Sequence, residues 1–134
     1  MKSQTAPVSA ERAKQLNPVV LAFVGDAVYS LYVRERLVLS GTCKPAELNK
    51  LASAVVSAHG QSGDVERLLP LLTEEEAEIY RRGRNAKKPS KSKNASVCDY
   101  ARSTGFEAVA GYLYLTGRTE RLQELFFPEE ERGE

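Results

Sequence analysis

Cysteine and histidine are almost missing from this sequence, and their scarcity removes several kinds of chemistry at once. There are 2 cysteines, Cys43 and Cys98, far apart and in no CxxC spacing, and 1 histidine, His59. That set cannot furnish a tetrahedral zinc site of the usual Cys/His kind. The two cysteines read as reduced thiols, the state expected inside a cell. No Ser/His/Asp or Cys/His set exists to offer a covalent route, and His59, in SAHGQS, reads as a surface residue. The N-terminal stretch MKSQTAPVSAERAKQ lacks the apolar run of a signal peptide. The most apolar run, Leu16 to Val33, contains Asn17, Pro18, Gly25 and Asp26. An aspartate at a bilayer centre is costly, so a membrane span is rejected and a cytoplasmic protein is expected. Also absent are internal repeats and any period-two alternation long enough to make a strand.

What is present fits one folded domain. The chain has 134 residues, 42% of them hydrophobic and 28% charged, enough to bury a core without disulfides. The net charge is only +1, which by itself argues against a nucleic-acid surface. Its distribution argues otherwise. Between Arg81 and Asn94 stand 7 Lys or Arg and no acid, whereas acids collect at Glu74–Glu78 and Glu129–Glu134. Screening confines fields to about 10 Å at ordinary salt, so an anionic polymer responds to local clustering.

Helix signals punctuate the chain. Pro18 opens a helix to about Ser40, and Gly41 supplies a left-handed stop. Pro45 opens a second, AELNKLASAVVSAH, which Gly60 and Gly63 bend or end before Val65–Leu72 continues. Thr73 and Glu76 form a capping box for a third helix to about Arg84. Asn85–Ser96 reads as a basic surface loop, Val97–Leu115 as a fourth helix, and Thr119–Phe126 as a short last one before Pro128. The expected architecture is all-α, an irregular bundle of about five helices.

Two acids break this pattern. Asp26 is the only charged residue between Gln15 and Arg34, and Glu107 the only one between Arg102 and Arg118. At 100° per residue, Asp26 shares its stripe with Ala22, Tyr29, Ser30 and Val33. Glu107 shares its own with Ser103, Thr104, Gly111 and Tyr114. Small or hydroxylated neighbours leave room beside each carboxylate, and a carboxylate in dry surroundings needs a partner. Two such acids brought together would fit a hard, oxygen-seeking cation that keeps several waters, such as Mg²⁺. A mid-helix acid is equally able to pair with a core-facing arginine or to lie on a narrow solvent stripe, and composition does not separate these readings.

The words around the acids carry more. VLAFVGDAVYSLYVR, Val20–Arg34, resembles the signature helix of the ribonuclease III family, and STGFEAVAGYLYL, Ser103–Leu115, resembles its second motif. RRGRNAK, Arg81–Lys87, and the helix order are similar to the small Mini-III subclass, which has the catalytic domain without a double-stranded-RNA-binding domain. The resemblance covers about Leu16 to Leu125. It implies a catalytic domain over 16–127, which the residues themselves flank with a polar leader over 1–15 and an acidic tail over 128–134. It also implies that Asp26 and Glu107 are the catalytic and metal-binding residues, with Mg²⁺ as cofactor and Mn²⁺ as a substitute. Long-form enzymes of the family carry two further acids, at positions that here hold Ala22 and Thr104. That departure leaves the metal with two direct protein ligands plus waters, and reads as a mark of the subclass.

The activity so implied is hydrolysis of double-stranded RNA to 5′-phosphate and 3′-hydroxyl ends, with precursor large-subunit (23S) ribosomal RNA as substrate. Arg81, Arg82, Arg84, Lys87, Lys88, Lys91 and Lys93 are the candidates for gripping phosphates and 2′-hydroxyls. The rival reading is a non-catalytic RNA-binding or ribosome-assembly protein with a degenerate site. A homodimer is expected, because the helix from Pro18 is apolar nearly all round. Phe23, Val24, Leu31 and Tyr32 are its candidates for core and interface together.

Overall fold

The computed structural model describes residues 6–41, 44–56, 64–86 and 97–128, and among these every regular element is helical. The all-α expectation holds. The elements are α1 (Ala10–Lys14), α2 (Pro18–Leu39), α3 (Pro45–Val56), α4 (64–68), a 3₁₀ turn (Leu69–Leu71), α5 (Glu74–Asn85), α6 (Val97–Leu115) and α7 (Thr119–Phe126).

Local chemistry sets most of the boundaries. The Asn17 side-chain oxygen accepts from the Val19 N–H at 2.8 Å and caps α2, with Pro18 as its first residue. Past its end Gly41 takes φ 102°, a conformation that costs a glycine little. Both halves of the expected capping box open α5: Thr73 accepts from the Glu76 N–H at 3.1 Å, and Glu76 accepts from the Thr73 N–H at 2.9 Å. Beyond α6, Gly117 repeats the left-handed stop with φ 77°.

α6 is the central element. Phe106, Ala108, Val109, Ala110, Tyr112 and Leu113 are all fully buried. α2 and α5 pack on adjacent faces of it, and α7 closes the core with Leu122, Leu125 and Phe126. Tyr29 of α2 meets Phe106 edge-on at 5.0 Å between ring centroids, and Phe106 meets Phe126 at 4.6 Å.

The leader is less detached than its composition implies. Val8 donates to the Leu115 carbonyl at 2.8 Å, Ser9 caps α1, and Ala13 is fully buried. Arg82 of α5 donates to the carbonyls of Lys14 and Leu16 at 2.9 and 3.2 Å, tying this segment to the body.

Candidate active site

α2 and α6 cross at two glycines. A Cβ placed on Gly25 would overlap the carbonyl oxygen of Glu107 and stand 2.7 Å from the Gly111 nitrogen. A Cβ on Gly111 would overlap the Leu21 carbonyl oxygen. The two backbones therefore touch, which no pair of larger residues would allow. Gly25 immediately precedes Asp26, and its contact is with the backbone of Glu107 itself. The crossing thus brings onto neighbouring turns the two acids that the sequence separates.

Their surroundings differ. Glu107 is half-buried, as its neighbours suggest, but Asp26 is exposed. The expectation of dry surroundings for Asp26 is corrected: its stripe partners Ala22, Tyr29 and Val33 turn into the core, while Asp26 lies at the rim. Among the described residues no hydrogen bond or ion pair holds its carboxylate. It borders a surface hollow lined by Phe23, Val24, Leu31, Tyr32 and Tyr114.

The donor set fits a hard divalent cation. It offers carboxylate oxygens only, and no cluster of 3 or more His, Cys, Asp or Glu occurs among the described residues. One or two carboxylates with several waters is the usual protein share of a Mg²⁺ site. The positions where long-form relatives carry further acids are closed here. Ala22 is 5% exposed and Thr104 is 6% exposed, with the Thr104 hydroxyl donating to the Tyr100 carbonyl at 3.0 Å.

The basic residues divide. Arg81 and Arg84 are exposed near the end of α5, Arg81 paired with Glu78 and Arg84 donating to the Asn85 side chain at 3.2 Å. Arg82 is half-buried and two of its donors are committed to the α1–α2 junction, a structural task its sequence context does not announce. α5 meets α6 where Gly83 lies against Gly105 and Ala108, so this arginine cluster begins beside the turn that carries Glu107. Lys87, Lys88, Lys91, Lys93 and His59 lie outside the described residues.

Of the four candidates on α2 for core and interface, Val24 and Tyr32 are partly buried, while Phe23 is 80% and Leu31 62% exposed. Sequence reasoning also passed over Arg34, whose Nη1 donates to Ser30 Oγ at 2.6 Å. The four-residue spacing of those two on one helix was the available signal.

Comparison with known proteins places this geometry. The family described as the ribonuclease III domain matches residues 19–118. The Mini-ribonuclease 3 of Brevibacillus brevis is 50% identical over 109 residues, 81% of this chain and 81% of its own. That of Streptococcus pneumoniae is 50% identical over 112 residues, 82% of this chain and 88% of its own. A crystal structure of a Fusobacterium nucleatum protein superposes with TM-score 0.79 at 27% identity, covering 92% of this chain and 98% of that one.

Proposed function

Because the chain belongs to the ribonuclease III family, in its Mini-III subclass, we propose that it cuts double-stranded RNA with Mg²⁺ held by Asp26 and Glu107. Its substrate is precursor large-subunit (23S) ribosomal RNA, trimmed in the cytoplasm to mature ends. The observation that carries this reading is the glycine-to-glycine crossing, which sets the two acids on adjoining turns with Asp26 open to solvent.

Bound there, Mg²⁺ or Mn²⁺ supplies the Lewis acidity that activates water and offsets charge on the phosphate during hydrolysis to 5′-phosphate and 3′-hydroxyl ends. The chain supplies the rest. Asp26 and Glu107 provide the negative charge that holds the ion, each from a rigid helix packed on the core. Buried Ala22 and satisfied Thr104 offer no further ligand, so an ion held there would keep waters. Arg81 and Arg84, followed by the lysines at 87, 88, 91 and 93, present positive charge to the RNA backbone.

The working form is a homodimer. Val20, Phe23 and Leu31 share one stripe of α2 and are 46%, 80% and 62% exposed, an apolar helix face that a second copy of the chain would cover. Antiparallel RNA strands are related by a two-fold axis, so an isologous dimer offers each strand an equivalent site.

The test is cleavage of a duplex RNA with Mg²⁺, with and without EDTA, beside sedimentation equilibrium at micromolar protein. Cutting of both strands that stops with EDTA, by a species of dimer mass, is expected. RNA binding without cleavage at any Mg²⁺ concentration overturns the enzymatic reading, and two-strand cutting by a monomer overturns the dimer.

A further inference from the structure

Asp26, Ser30 and Arg34 are spaced four residues apart on α2, so their side chains climb one flank of the helix. At 1.5 Å per residue, Ser30 stands about 6 Å along the axis from Asp26. Helical side chains lean toward the helix N-terminus, and Arg34 leans far enough to donate to Ser30 Oγ at 2.6 Å. The bond holds its guanidinium against Ser30, the residue one turn along the helix from Asp26, although the Arg34 backbone is two turns from Asp26.

Other arginines around the core are committed to protein partners. Arg36 donates to Gln123 at 3.0 Å and lies 4.1 Å from the Phe127 ring centroid. Arg118 pairs with Glu75, Arg121 with Glu76, and Arg82 with two backbone carbonyls. Arg34 is exposed, no carboxylate among the described residues pairs with it, and the Ser30 bond uses one of its N–H donors. A planar guanidinium fork with open donors matches phosphate oxygens, and fixing it beforehand lowers the ordering cost of the contact.

We propose that Arg34, held in place by Ser30, is a phosphate-binding residue for the RNA strand on which Asp26 and Glu107 act. The proposal rests on the endoribonuclease reading above. Arg34 also borders an apolar cavity of about 240 Å³ with Leu37, Val38, Pro45 and Leu48, so a role between copies of the chain is the outcome to separate.

The experiment compares the wild-type chain with Arg34→Ala, Arg34→Lys and Ser30→Ala. Binding of a defined duplex RNA is measured in EDTA across a salt series, cleavage in Mg²⁺, and mass by sedimentation. Arg34→Ala should weaken binding about tenfold and lower the salt slope by about one, with kcat within about threefold and mass unchanged. Arg34→Lys should restore the slope but not the full affinity, since an ammonium keeps the charge and loses the fork. Ser30→Ala should produce a smaller loss of affinity at unchanged slope. Unchanged affinity and slope in Arg34→Ala overturn the proposal. So does a loss of affinity that accompanies a fall in mass, which assigns Arg34 to an interface between copies. Wild-type failure to cut, with Arg34-dependent binding intact, sinks only the enzymatic reading.

Discussion

The corner where α5 meets α7 carries Glu75 and Glu76, the crossing of α2 with α6 carries Asp26 at its rim, and the chain treats these acids in opposite ways. At the corner Glu76 is 2% exposed and accepts from the Thr73 N–H at 2.9 Å and from Arg121 Nε and Nη2 at 2.9 and 2.8 Å. Burial alone would raise its carboxyl, but the Arg121 and Thr73 donors and the Arg121 charge outweigh it and hold the group below its ordinary value. Glu75 is lowered chiefly by the Tyr112 hydroxyl and then by Arg118, while burial and Glu75 push Tyr112 up to about 12. At the crossing Asp26 is exposed, and among the described residues no donor is aimed at it. Acids with their lone pairs filled by protein donors hold helices together. An acid whose lone pairs still face water is available to a cation.

The strongest way to break this contrast is to remove charge at the crossing. Asp26→Asn and Glu107→Gln should each lower cleavage by about a thousandfold or more while leaving the thermal midpoint within about 2 °C. Single-turnover cleavage beside thermal unfolding checks both halves, and a variant that cuts at near wild-type rate refutes the site.

Glu76→Ala should do the reverse. Losing one side of a buried pair leaves Arg121 without its carboxylate and should destabilise the fold by about 3 kcal/mol, toward the low end because Arg121 is still partly in water. Urea unfolding measures the loss, and kcat per folded molecule should be unchanged.

A smaller, pH-dependent effect sharpens the same point. The native Glu76 carboxyl lies below its ordinary 4.5, so the unfolded chain takes up the proton first as pH falls. Its contribution is therefore complete at neutral pH and is lost as pH drops from about 4.5 through the lowered native value. The stability advantage of wild type over Glu76→Gln should shrink across that range in urea titrations taken from neutral pH down to about 3. A constant advantage would show that the pair's charge does not carry it.

The mildest effect is expected from the lysines that follow Arg84 in the sequence, which carry charge toward the RNA and hold no metal. Replacing Lys87, Lys88, Lys91 and Lys93 with glutamine should weaken duplex binding by about tenfold at moderate salt and flatten its salt dependence by roughly 3 units. Maximal cleavage rate at saturating RNA should change little, and an unaltered salt slope would leave the loop as a solubility feature.

The sequence by itself determined most of the helix boundaries and singled out the two acids. The Pro18 start, the Thr73–Glu76 box and the Gly41 stop act between residues a few positions apart, so contiguous text carries them. The solitary placement of Asp26 and Glu107 is likewise visible on a line of letters, and the words around them carried the family resemblance. Only the tertiary structure decided which side of each helix faces what. It turned Val33 and Tyr29 inward and left Phe23 and Asp26 outside, on a helix apolar enough to accept any orientation. It made a helix of Ala10–Lys14, a short polar segment ordered by a buried Ala13 and by Arg82 from far along the chain. And it joined Gly25 to Gly111, because backbone contact between distant segments depends on how two surfaces fit, a property no local spacing encodes.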